Sequence, residues 1–193
     1  MRIGLYFGSF NPIHVGHLII ANHFLNETDL QKIWFIVSPH NPFKNESTLL
    51  PDYHRLHLVR LAIEEDVRMK ASDIEFKLPK PSFTANTLVY LKEKYPNHEF
   101  FLIMGSDSFQ NIDKWKNFES IIKKYPIYIY KRPGFEIKNH HHAKIQVLET
   151  PLLEISATQI RKLIGEGKSV RYLVPDKVWD EIEKGNYYRK PAK

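Results

Sequence analysis

The chain has 193 residues and no cysteine, with 42% apolar and 26% charged residues and a formal charge of +6 from 28 Lys and Arg against 22 Asp and Glu. That balance is a globular protein's and not a disordered chain's; it excludes a disulfide framework or a thiolate metal centre, and it suits the cytoplasm. Length points to a single domain over 1–193 with a small C-terminal helical part at 156–185, and the positive charge favours anionic partners without choosing among nucleotides, nucleic acid and acidic lipid.

In chain order, Arg2–Phe7 reads as a strand, too short and too soon interrupted for a signal-peptide core. A helix-like stripe follows at Leu18–Leu25, then a strand at Lys32–Val37. Pro51-Asp52 opens a second helix, because proline is tolerated in a first turn and aspartate can cap. Thr87–Tyr95 makes a third, and Phe100–Met104, Ile127–Tyr130 and Ile145–Leu148 are further strands. Between the last two lies Asn139-His140-His141-His142, read as a solvated loop because adjacent side chains cannot converge on one ion.

Ser156-Ala157-Thr158-Gln159 is a capping box whose helix runs through Ile164 to a stop at Gly165 or Gly167. Val174-Pro175-Asp176 opens a last helix ended by Gly185, and Tyr187–Lys193 reads as a frayed tail. No apolar stretch approaches the roughly 20 residues that span a bilayer, so no membrane partner is expected. Strands alternating with helices give the α/β class, a Rossmann-like parallel sheet with helices on both faces, plus the small C-terminal helical part.

The chemistry concentrates at Gly8-Ser9-Phe10-Asn11-Pro12-Ile13-His14-Val15-Gly16-His17, between the first strand and the first helix. In a doubly wound sheet such a junction turns free N–H groups and the positive end of a helix dipole toward an anion. Gly8 would admit a close backbone approach, and the three-residue spacing of His14 and His17 would set both rings on one face of the first turn. Near the other end, Thr158 and Arg161 share a face of a second helix start, where a guanidinium fork suits phosphate oxygens.

The first segment resembles the signature of the HxGH nucleotidyltransferases, with Phe7 where a second glycine is common and Asn11 where aspartate is frequent. Ile155-Ser156-Ala157-Thr158-Gln159-Ile160-Arg161 is similar to that group's C-terminal motif. Within the group the resemblance narrows to bacterial nicotinate-nucleotide adenylyltransferases. It does so on Ser38-Pro39-His40-Asn41-Pro42-Phe43-Lys44, Ser82-Phe83-Thr84-Ala85-Asn86-Thr87-Leu88, Ile103-Met104-Gly105-Ser106-Asp107, Asp113-Lys114-Trp115 and Lys131-Arg132-Pro133-Gly134.

The resemblance implies transfer of the AMP part of ATP to nicotinate mononucleotide, giving nicotinate adenine dinucleotide and pyrophosphate in NAD biosynthesis. It implies His14, His17 and Arg161 as catalytic residues, and an ATP site of Gly8, Ser9, Phe10, His14, His17, Gly105, Asp107, Ser156, Thr158 and Arg161. Lys44, Thr84, Trp115 and Arg132 would bind the mononucleotide, Lys44 at its phosphate and Trp115 against its pyridine ring. No protein metal site is expected, and Mg²⁺ would arrive bound through ATP phosphates. Two rivals are a pantetheine-phosphate adenylyltransferase, against which Trp115 and Ser82–Leu88 argue, and a basic nucleic-acid-binding module, against which the scatter of the basic residues argues.

Overall fold

The structure is a computed structural model that describes residues 1–39, 49–137, 141–149, 151 and 154–189. Six parallel strands form one sheet: β1 (Arg2–Gly8), β2 (Lys32–Val37), β3 (Met69–Ser72), β4 (Glu99–Gly105), β5 (Ile127–Tyr130) and β6 (Ile145–Leu148). Their order is β3-β2-β1-β4-β5-β6, so the direction of winding reverses between β1 and β4. Seven α-helices are described: α1 (Val15–Glu27), α2 (Asp52–Ile63), α3 (Thr84–Lys94), α4 (Ser106–Phe109), α5 (Phe118–Lys124), α6 (Ala157–Gly165) and α7 (Asp176–Lys184).

The inner strands are apolar almost throughout because helices cover both faces, and the pleat sends alternate residues to different cores. Tyr6, Phe35, Phe101 and Ile103 join Phe24, Val59, Ile160 and Val178 in one cluster, beneath α1, α2, α6 and α7. Leu5, Trp34, Ile36 and Leu102 join Leu88, Leu91 and Ile122 in the other, beneath α3 and α5. Among the described residues, no helix is long and apolar enough to cross a membrane.

Three features depart from the sequence reading. β3, with the sequence Met-Lys-Ala-Ser, has neither length nor alternation to announce it and exists because it pairs with β2 at the sheet edge. His141, expected in a solvated loop, is half-buried with its ring edge-on to Phe118 at 5.9 Å, while His142 is exposed. The frayed tail needs correction at its start: Tyr187 and Tyr188 fold back onto the first core cluster. The Tyr188 hydroxyl donates to Asn11 Oδ1 at 2.9 Å, and burial pushes it well above its ordinary pKa.

Candidate active site

β1 and β4 are hydrogen-bonded neighbours that both end in glycine, Gly8 and Gly105, at the reversal of strand order. Ligands of open α/β sheets bind in the crevice beyond such strand ends. α1 begins there with His14 as its N-cap in extended conformation, so the helix starts three residues earlier than the apolar stripe at Leu18 implied. The His14 N–H donates to His17 Nδ1 at 3.2 Å, and the His17 N–H donates to the His14 carbonyl at 2.9 Å. The two rings stack at 3.7 Å with an interplanar angle of 28°. Because His17 accepts at Nδ1, its neutral ring carries the proton on Nε2, leaving a donor at the other edge.

Gly16 explains why a glycine separates the two histidines. A Cβ there would lie 3.0 Å from His14 Nδ1 and 3.2 Å from its Cε1, so the missing side chain is the room the imidazole occupies. His14 is 6% exposed, and its Nδ1 is buried with no hydrogen-bond partner among the described residues. Burial, and then the charge of Arg132, lower its pKa from 6.5 to about 4, so it is neutral at pH 7.

At Gly8 the space a Cβ would fill is taken by the Phe10 ring, 2.8 Å away at Cζ, so packing by itself already demands this glycine. Phe10 is 2% exposed, lies edge-on to Tyr6, His17 and Phe35, and holds φ at +44°, a left-handed value that costs a non-glycine residue on the order of 1 kcal/mol. Its ring is buried in the core and offers the crevice almost no exposed surface. The Ser9 carbonyl is already engaged, accepting from the Arg55 Nη1 at 2.7 Å.

The second helix start reaches the same loop. Ser156 caps α6, its Oγ accepting from the Gln159 N–H at 3.2 Å. Arg161 Nη1 donates to the Asn11 carbonyl at 2.8 Å and Nη2 to Thr158 Oγ1 at 3.4 Å, so residues 150 apart in sequence meet beside the histidines. Beyond β4, the Asp107 carboxylate occupies the place of a Cβ on Gly105. Asp107 Oδ1 is buried without a partner among the described residues, while Oδ2 accepts from Arg132 Nη1 at 3.2 Å. Arg132, expected on the mononucleotide side, is thus paired with a residue expected on the ATP side, and its backbone N–H donates to Ser106 Oγ at 2.9 Å.

Thr84 is the first residue of α3 and is half-buried, as is Trp115, which follows a 3₁₀ turn at Ile112–Lys114 and packs by part of its surface on the second core cluster. Lys44 lies outside the described residues. Sequence reasoning missed two buried charges beneath the crevice, Arg55 and Glu75, and the tail residue Tyr188. Arg55 did carry a signal: it falls in phase with Leu58 and Val59 on the buried face of α2, where a charge needs partners. No group of three or more His, Asp or Glu able to hold a metal ion occurs among the described residues.

The cytidylyltransferase-like family model matches residues 5–163. A chain from Flavobacterium johnsoniae named "Probable nicotinate-nucleotide adenylyltransferase" is 54% identical over 98% of this chain and 100% of its own length. A Bacteroides fragilis chain of the same name is 46% identical over 94% of this chain and 90% of its own. Among solved structures, a Plasmodium falciparum nicotinic acid mononucleotide adenylyltransferase complexed with NaAD superposes with a TM-score of 0.82, at 22% identity and 97% coverage of both chains, a likeness of fold. Motif geometry and near full-length identity converge: the chain belongs to the cytidylyltransferase-like family and, within it, to the nicotinate-nucleotide adenylyltransferases.

Proposed function

We propose that this chain transfers the AMP part of ATP to nicotinate mononucleotide, forming nicotinate adenine dinucleotide and pyrophosphate, as a cytoplasmic enzyme of NAD biosynthesis. The observation that carries the reading is the stacked His14–His17 pair at the start of α1, set at the reversal between β1 and β4. A phosphate oxygen of the mononucleotide attacks the α-phosphorus of ATP, an O–P bond forms, and the bond from that phosphorus to the bridging oxygen breaks as pyrophosphate leaves.

The attacking oxygen is already anionic, so no protein nucleophile or base is required. Catalysis reduces to holding two polyanions in line and stabilising the charge that moves onto the leaving group. Nε2–H of His17, the N–H groups at the start of α1 and the guanidinium of Arg161 supply that field. Gly8, Ser9 and the backbone of Phe10 shape the phosphate loop; Gly105 and Asp107 receive the nucleoside; Ser156 and Thr158 complete the ATP side.

Thr84 and Trp115 would bind the nicotinate, and Lys44 its phosphate. Arg132, joined to Asp107, bounds the crevice between the two nucleotides. Mg²⁺ would be held by triphosphate oxygens and water, which asks for no cage of protein carboxylates, and it would offset the charge of the departing pyrophosphate.

Pyrophosphate release from ATP tests the reading, with nicotinate mononucleotide, nicotinamide mononucleotide and pantetheine phosphate offered separately. Nicotinate mononucleotide should give the highest kcat/KM. His17→Ala should cut kcat by about a hundredfold with little change in either KM, the loss expected for one donor matched to the transition state. Faster turnover of another acceptor, or normal turnover in His17→Ala, overturns the assignment.

A further inference from the structure

Two buried charges of opposite sign lie beneath the crevice, and the transfer chemistry uses neither. Arg55 is fully buried and donates to four carbonyls. Nε reaches Leu50 at 2.7 Å, Nη1 reaches Ser9 at 2.7 Å and Ser38 at 2.8 Å, and Nη2 reaches Pro39 at 2.9 Å. Glu75, in a 3₁₀ turn at Ile74–Lys77, is 2% exposed. Its carboxylate accepts from Ser82 Oγ at 2.9 Å, from Thr87 Oγ1 at 2.8 Å and from the Ser38 side chain.

Ser38, directly after β2, is therefore held twice, by its carbonyl from Arg55 and by its hydroxyl from Glu75. The links continue outward in both directions. Arg55 grips Ser9 in the loop that ends at His14, while Glu75 grips Ser82 and Thr87, which flank Thr84.

We propose that Arg55, Ser38 and Glu75 form a positioning spine that sets the separation between the phosphate loop after β1 and the mononucleotide-binding segment at the start of α3. The proposal rests on the reading that Thr84 and Trp115 face the mononucleotide. Buried charges are poor devices for stability alone, since apolar side chains of similar volume often serve as well. They are effective at fixing one geometry, and in-line transfer is sensitive to it: a misplacement of about 1 Å costs on the order of a hundredfold in rate. In this arrangement the three residues act through the segments they hold and not through the substrate itself.

Steady-state kinetics of the full chain with ATP and nicotinate mononucleotide test the spine in Ser38→Ala, Glu75→Gln and the double variant, with melting temperatures in parallel. Ser38→Ala removes one hydroxyl and leaves the Arg55 bond to the backbone carbonyl, so it supplies a folded variant even where Glu75→Gln is destabilised. Each single variant should raise the mononucleotide KM about tenfold and lower kcat, with the ATP KM within about twofold of the parent. The double variant should be no worse than the poorer single, because both cut the same link. An unchanged mononucleotide KM in folded Ser38→Ala, an equal rise in both KM values, or additive losses would overturn the spine. Trp115→Ala reads the subsite separately. A normal mononucleotide KM in that variant removes the underlying reading, whereas a raised KM there beside a normal one in Ser38→Ala removes the spine alone.

Discussion

His14 is neutral at pH 7 because burial, and then Arg132, draw its pKa from 6.5 to about 4, and this couples the site to stability. In the unfolded chain the same ring takes its proton near pH 6.5, so between that value and about 4 the unfolded state binds more protons than the folded one. Stability therefore falls as the pH drops through that window, by about 3 kcal/mol in total from this residue. Glu75 works in the opposite direction, since burial raises its carboxyl above the usual range, and its protonation relieves a buried charge as the pH falls. The two are separated by difference. Denaturant unfolding of the parent and of His14→Gln from pH 7 to 4 should show a steeper acid loss in the parent; parallel curves would mean that His14 titrates normally in the fold.

Gly16 is the companion case. Alanine would gain up to about 1 kcal/mol of helix propensity, and overpacking against the His14 ring would cost roughly 1–3 kcal/mol, so the net is a loss of about 2 kcal/mol or less. The ring, stacked on His17 and buried, must still yield a few tenths of an ångström. Gly16→Ala should melt no more than about 8 °C below the parent while its kcat falls about tenfold, and unchanged turnover would show that the imidazole pair tolerates displacement. The pair was legible in the sequence because two rings three apart at a strand-to-helix junction have little freedom. Glu75 was not, because its partners are hydroxyls, which no residue type announces, and Arg55 showed only as a charge in phase with the buried face of α2, with no sign of the carbonyls it grips.

At the scale of elements, legibility followed burial. The inner strands β1, β2, β4 and β5 read as runs of Ile, Leu, Phe, Tyr and Val because both faces are covered, and their observed bounds agree with the sequence reading within one residue or two. β3 sits at an edge and is specified by its pairing with β2 and not by its own side chains. Helix starts fared best where the sequence carries a start signal: Ser156 caps α6, and Pro175 with Asp176 opens α7. α1 has an imidazole cap, which propensity does not recognise, so its apolar stripe begins only at Leu18, while the spacing of His14 and His17 marks the first turn where it is found. The tail shows the converse error. Composition after Gly185 suggests solvent, yet Tyr187 and Tyr188 find apolar surface left open by α2 and α7, and hydroxyl partners in His54 and Asn11.

At the scale of the molecule, the C-terminal helical part is an integral layer of the fold. Ile160, Ile164, Val170, Val174, Val178 and Ile182 are all buried in the cluster that holds Phe24, Leu58 and Val59. Lys177 of α7 pairs with Glu64 and Glu65 at the end of α2. Burial of an Ile or Val side chain is worth roughly 1.5–3 kcal/mol, so losing six such contributions removes on the order of 10 kcal/mol, comparable with the whole stability of an ordinary domain. The exposed pairs of Lys177 add little beside this. A chain ending at Ile155 should accordingly lack a cooperative thermal transition and bind hydrophobic dyes, even though all six strands remain. Arg161 would be lost as well, so absent activity decides nothing, and the melting curve is the relevant measurement. A sharp transition in the shortened chain would make residues 156–185 an appendage and would confine the core on that face to the sheet, α1 and α2.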